Sequence, residues 1–145
     1  MLKLIVVGKM KNKALAQLCD DYFSRIKRFD NFEIVELKDT SIETEADKML
    51  DALKNFKGKV YAMSEEGKTY TSVELSKMLE KDLMGGGSAF IIGSAYGLSN
   101  RIRERANQTI SLSPMTFTHE FARAILAEQL YRAKTITANT GYHHI

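Results

Sequence analysis

Cysteine and proline are nearly missing from this chain, with one of each in 145 residues. A lone Cys19 closes no internal disulfide, and no Cys/His cluster has zinc-ligand spacing. Disulfide frameworks and structural zinc are excluded, and a reducing cytoplasm fits best. Cys19 shares a helical stripe with Leu15, Leu18, Tyr22 and Ile26, which makes it a small core residue and not a nucleophile. No apolar run approaches the ~20 residues of a membrane span. The opening MLKLIVVGKMK has a short apolar stretch followed by lysines and lacks a small-residue cleavage site, so it reads as a first strand and not as a signal peptide. Repeats and low-complexity linkers are also lacking, and residues 1–145 are expected to form one domain, large enough to bury a core without staples.

What is present is an ordinary soluble composition, 44% hydrophobic and 27% charged, with a net charge of +3. That charge mildly favours an anionic partner, although the acidic stretch from Glu33 to Asp51 shows that the basicity is local. Periodicity predicts strands over 2–7, 32–37, 59–63, 89–92 and 108–112. Helices are predicted from Asn12 to about Phe29, Ile42 to Asn55, a Thr71 capping box to just before Gly85, Ser99 to Ala106, and Thr118 to Ile136. Strands alternating with helices imply an α/β fold, a mostly parallel sheet with helices on both faces. The last helix is apolar nearly all round, with Phe121, Ala122, Ile125, Leu126 and Leu130 on one side and Ala124, Ala127 and Tyr131 on the other. A second copy of the chain is expected to cover one of those sides.

Two loops stand out. Gly93-Ser94-Ala95-Tyr96-Gly97 follows the apolar strand 89–92, and its terminal glycines leave room for positive φ and for a ligand to approach main-chain N–H groups. Ser113-Pro114-Met115-Thr116-Phe117 follows the strand 108–112, and its proline stiffens it. Both loops fall at the carboxyl edge of a parallel sheet, where ligands of such sheets bind. By contrast, Gly67-Lys68-Thr69 lacks the glycine that a phosphate-binding loop needs five positions earlier, where Ala62 stands, and is read as a turn. Arg101, Arg103 and Arg105 read as a solvated helix face. His119 and Arg123, four apart at the start of the last helix, could meet an anion together or form a buried structural pair. Tyr142-His143-His144 would ordinarily be a frayed tail.

The order IIG-x-x-x-GLS, SLSPMTFTHEFARAILAEQLYRA and a terminal YHH, with the opening KLIVVGKMK, resembles the RlmH family over essentially the whole chain. These are small SPOUT-class methyltransferases that modify N3 of a pseudouridine in large-subunit ribosomal RNA. The resemblance implies a C-terminal trefoil knot, a homodimer, S-adenosylmethionine as methyl donor, and the large subunit or assembled ribosome as substrate, with no DNA or membrane partner and no metal. It places Met63, Gly93, Leu112, Ser113, Pro114, Met115, Thr116 and Phe117 around the donor. Arg123, Arg132, Tyr142 and His144 face RNA, and His119 and His143 lie among the phosphate and base contacts. The chain departs from the family in Ser94 for a usual glycine, Met63 for a common leucine, and His144 for a basic residue, which makes the tail's charge pH-dependent.

Pseudouridine N3 carries a proton at neutral pH, so methylation there requires a base, and an imidazole has a suitable pKa. His143 is the first expectation and His119 the second, with Arg123 or Arg132 stabilising charge on the uracil oxygens. The rival reading is a noncatalytic α/β module that binds a nucleotide or RNA through the same glycine loop, and only the enzyme should bind S-adenosylmethionine.

Overall fold

The computed structural model describes residues 1–144. Five strands, β1 (Leu2–Val7), β2 (Phe32–Leu37), β3 (Lys59–Thr69), β4 (Ser88–Ile92) and β5 (Gln108–Ser111), form one sheet in the order β2-β1-β4-β3-β5. Every pairing is parallel. The central strand β4 is buried over its whole length, as a parallel strand covered on both faces must be, and this is why SAFII carries no alternation. The edge strand β2 is less covered, with Glu33, Ile34 and Glu36 exposed.

The helices are α1 (Lys13–Ile26), α2 (Ile42–Ala52), α3 (Ser72–Leu83), α4 (Asn100–Arg105) and α5 (His119–Ala138). Leu2, Leu4 and Val6 of β1 point to a core shared with α1, α3 and α5, whereas Ile5 and Val7 point to a second core under α2 and α4. The caps follow the sequence signals. Asn12, Ser41, Ser99 and Thr118 each accept a first-turn N–H, and Thr71 with Glu74 completes the capping box.

Four expectations are corrected. Helix α1 stops at Ile26 and α2 at Ala52, and the residues beyond them close as turns through Phe29 N–H to Ile26 O and Phe56 N–H to Leu53 O. Strand β3 does not end at Met63. Its partner Ile110 faces Met63 and then, after a bulge, Lys68, so Gly67-Lys68-Thr69 is a strand continuation and not a turn. Glycine is needed there because a Cβ on Gly67 would lie 2.6 Å from the Ile110 carbonyl carbon.

The fourth correction concerns α5. Ala124, Leu126, Ala127, Leu130 and Ala133 are all buried within the chain itself, because α5 lies between α1 and α3 on the sheet. Ala124 and Ala127 of its second apolar side are therefore covered by the chain's own fold, while Phe121 of the first side is 53% exposed. Its far end is fixed by Asp30, which takes both Lys134 Nζ at 3.0 Å and the Met1 amine at 2.9 Å. No helix among the described residues is long and apolar enough to cross a membrane.

Candidate functional site

Because β4, β3 and β5 are neighbours, their carboxyl ends bring Met63, Gly93 and the 112–117 loop together without any long-range coincidence of side chains. Ala62 pairs with Ile91 and Met63 with Ile110, so Met63 stands just below both loops. The first loop is a tight turn in which Gly97 N–H donates to Ser94 O at 2.9 Å, and Gly97 has φ +85°. Gly93 is needed for a different reason from the one expected. A Cβ there would lie 2.6 Å from Gly97 O, so this glycine closes the loop on itself and does not make room for a ligand. The open ground is above Gly97, where a Cβ would meet nothing within 4 Å.

The second loop is braced by its serines. Ser113 N–H donates to Ser111 Oγ at 3.1 Å, Ser111 Oγ donates to Ser113 O at 2.7 Å, and Met115 N–H donates to Ser113 Oγ at 3.0 Å. With Leu112 and Ser113 half-buried, the loop turns outward at Pro114, and Met115, Thr116 and Phe117 are exposed. Met115 is 75% exposed and Tyr96, in the first loop, 82%, and with Phe117 and the first-turn Phe121 they make an uncovered apolar rim on this edge. Residues 112–117 carry no ionisable side chain.

His119 and Arg123 behave differently from each other. Arg123 is 2% exposed and reaches across the fold, with Nη1 3.0 Å from Glu36 Oε2 and Nη2 donating to Gly8 O at 2.8 Å and to Val7 O at 3.4 Å. It joins the start of α5 to the ends of β1 and β2, and its burial keeps it from an incoming phosphate. His119 is half-buried beside Gly8, and its Nδ1 has no partner among the described residues. The adjacent Glu120 accepts from Lys11 N–H and Asn12 N–H, both at 2.9 Å, which ties the start of α5 to the start of α1.

The tail is docked, not frayed. Asn139, the C-cap in the left-handed region, turns the chain back along α5. Tyr142 packs edge-on against Tyr131 with centroids 4.8 Å apart, under the Arg132 guanidinium at 4.8 Å and with its hydroxyl 3.5 Å from that of Tyr22. Burial first, and then the Tyr22 hydroxyl, push the Tyr142 phenol up to about 12. Arg132 also pairs with Glu128 and holds His143 Nδ1 at 3.1 Å from its Nη1. A guanidinium can only donate, so Nδ1 accepts and the ring proton sits on Nε2. His144 is exposed.

The structure thus separates the expected residues into two groups. The loops 93–97 and 112–117 and His119 lie at the carboxyl edge. Tyr142 and His143 lie with Arg132 toward the other end of α5, which at ~1.5 Å per residue is about 20 Å from His119. Of the three arginines on α4, Arg101 pairs with Glu43 and Asp47, and Arg103 with Glu66. Sequence reasoning missed Glu36 and Gly8 as the partners of Arg123, because a charge facing a carbonyl across more than 100 residues leaves no local pattern.

A parallel sheet wrapped on both faces, with paired loops at its carboxyl edge and a helix returning from the last strand, is the architecture of the SPOUT methyltransferases. The family model described as "Predicted SPOUT methyltransferase" matches residues 1–143. Among solved structures, a probable methyltransferase from Bordetella pertussis aligns with a TM-score of 0.57 at 13% identity over 92% of this chain and 93% of its own. The SpoU methyltransferase AviRb from Streptomyces viridochromogenes, in complex with AdoMet, aligns with a TM-score of 0.51 at 11% identity over 96% of this chain and 61% of its own, a likeness of fold.

Curated relatives narrow the class. Ribosomal RNA large subunit methyltransferase H of Gloeobacter violaceus is 39% identical over 99% of this chain and 98% of its own length. The protein of the same name from Oenococcus oeni is 36% identical over 98% of each. The chain belongs to the SPOUT methyltransferase family, and within it to the ribosomal RNA large subunit methyltransferase H family.

Proposed function

We propose that this protein transfers a methyl group from S-adenosylmethionine to N3 of a pseudouridine in large-subunit ribosomal RNA, in the cytoplasm, as a homodimer. The observation that carries the reading is the carboxyl edge itself, in a chain that spans nearly the full length of relatives named ribosomal RNA large subunit methyltransferase H. The edge fits the donor on structural grounds. Its 112–117 loop is braced, uncharged and apolar at Met115 and Phe117, and the space over Gly97 is open, which suits an adenosyl group and a sulfonium that charged side chains would repel or trap. S-adenosylmethionine, when bound there, supplies an electrophilic methyl group.

The chain's own residues do the rest. Ser111 and Ser113 hold the second loop in one shape, so that donor binding costs little ordering of the backbone. Arg123 fixes the start of α5 against β1, and we assign it a positioning role. In the docked tail His143 presents Nε2–H, a hydrogen-bond donor suited to a uracil oxygen or a phosphate, while its Nδ1 is committed to Arg132. His119 is the histidine at the donor edge, and we assign to it the N3 proton. Tyr142, already covered by Arg132 and Tyr131, serves as the tail's anchor and not as a free stacking platform.

One chain cannot bring His143 to its own donor loops across about 20 Å of helix. A second copy, packed so that its tail reaches the first copy's carboxyl edge, completes the site, and Phe121, 53% exposed, is part of the apolar surface available for that packing. The passage from β5 at one edge back to α5, beside α1 and α3, is compatible with the trefoil knot that the family resemblance implies. Calorimetry with S-adenosylmethionine, followed by radiolabelled methyl transfer to undermodified ribosomes, tests the reading. Donor binding with a ribosome-dependent label is expected, and the absence of donor binding would support the noncatalytic module instead.

A further inference from the structure

The amino edge of the sheet holds a cavity of about 370 Å³ on which three lysines converge from separate segments: Lys57 before β3, Lys59 at its start, and Lys81 in the last turn of α3. Lys81 alone would be explained by the helix dipole. The convergence is not, because none of the three makes an ion pair among the described residues. The acid in the same cavity is already spoken for. Asp82 is 7% exposed and accepts from Tyr61 Oη and, at 2.8 Å, from Ser88 Oγ.

Gly58 lies in the lining of this cavity. A Cβ on it would lie 2.1 Å from Gly87 O and 2.8 Å from Phe56 Cζ, so the two segments touch through their main chains beside the Phe56 ring. Asn107 closes another side. Its Oδ1 accepts from Val60 N–H at 2.8 Å, which fixes the side chain and leaves its NH2 to donate. Three lysines without an ion-pair partner among the described residues and an oriented amide line one hollow, and together they suit an anion.

We propose that this lysine cavity binds the phosphate backbone of single-stranded RNA flanking the methylated nucleotide, a second anchor for the ribosomal substrate. The inference rests on the function proposed above and adds a surface to it. Its position favours RNA over a small free anion. The cavity lies at the starts of β3 and β5, and the Tyr142-His143 tail lies by Arg132 near the end of α5, both toward the amino edge of the sheet. A strand held at the tail can follow this edge and bring its phosphates to Lys59 and Lys57.

The test compares wild type with the triple variant Lys57→Gln, Lys59→Gln, Lys81→Gln and with the same three positions changed to arginine. Methyl transfer to undermodified ribosomes is measured across salt concentration, with S-adenosylmethionine affinity and melting temperature as controls for the donor site and the fold. The glutamine variant is expected to raise KM for ribosomes about tenfold and to flatten the salt dependence of log KM by about 2, and the arginine variant to restore both. An unchanged KM and slope in the glutamine variant overturns the proposal.

In a second arm, a short single-stranded RNA and inorganic phosphate are each titrated by calorimetry in the absence of ribosomes. Loss of RNA binding in the glutamine variant supports the site even if wild type proves unable to methylate, which separates this inference from the function it extends. Phosphate binding that the variant abolishes, with RNA affinity unchanged, assigns the cavity to a free anion and overturns the proposal.

Discussion

The two edges of the sheet are built from opposite materials. At the carboxyl edge the loops 93–97 and 112–117 are uncharged, tightly self-bonded, and rimmed by Tyr96, Met115 and Phe117. At the amino edge stand Lys57, Lys59 and Lys81, and beside α5 a tail clamped by Arg132. One edge suits a sulfonium-bearing nucleoside and the other a polyanion, and a 20-residue helix lies between them. The contrast is the ground for the second copy proposed above: the residues proposed for the donor and those proposed for the RNA lie at different ends of one chain.

Breaking either edge should leave the other intact. The largest effect is expected from Gly93→Val, whose Cβ meets Gly97 O and Leu98 Cδ2 and forces the first loop open. S-adenosylmethionine affinity should fall by at least about a hundredfold in calorimetry, while the tail's contacts persist. Affinity within threefold of wild type would remove Gly93 from the donor site.

Truncation after Thr140 attacks the other end. Methyl transfer under single-turnover conditions should fall by about a hundredfold with donor affinity kept within about twofold, since Tyr142 and His143 are held by Tyr22, Tyr131 and Arg132, away from the loops of their own chain. His143→Gln, which keeps an N–H donor, should retain more activity than His143→Ala. If His119 takes the proton, His119→Gln should lose the acid limb of the pH-rate profile while His143→Gln keeps it. The reverse result would return the base to His143.

A smaller effect separates buried from surface charge. Glu36→Gln leaves the buried Arg123 with neutral acceptors alone and should cost about 1–2 kcal/mol, below the usual figure for a fully buried pair because Glu36 is 40% exposed. Arg101→Gln removes ion pairs to Glu43 and Asp47 that lie in solvent and should leave the melting temperature unchanged.

The smallest effect is acid-dependent. Burial pushes the Asp30 carboxyl up, but hydrogen bonds from the Met1 amine and Lys134 outweigh it and hold the group below its ordinary value. A depressed folded pKa stabilises the fold above the unfolded value of about 4 and ceases to do so as pH falls through the folded one. Wild type should therefore melt above Asp30→Asn at pH 6, and the gap should close below about pH 4.

The elements whose signals are local were legible in the sequence: the Thr71 capping box, the all-apolar β4 and the proline loop each state their structure in a few residues. Non-local features were not. β3 looked like a five-residue strand because Gly67 signals a turn in isolation, and only the approach of Ile110 makes it a strand residue. The all-round apolarity of α5 pointed to a partner subunit, yet Ala127 is satisfied by α1 and α3, since burial between two helices and burial in an interface leave the same pattern. The tail looked frayed because Tyr142 depends on Tyr22, 120 residues away.

Complementation between the two edges tests the central claim most directly. Gly93→Val and the chain truncated after Thr140, each inactive alone, are co-expressed with different tags and purified as a mixed dimer. If the tail of one copy serves the donor loops of the other, a mixed dimer holds one intact composite site of two and should methylate undermodified ribosomes at about half the wild-type rate. A mixed dimer as inactive as its parents would show that both edges act within one chain.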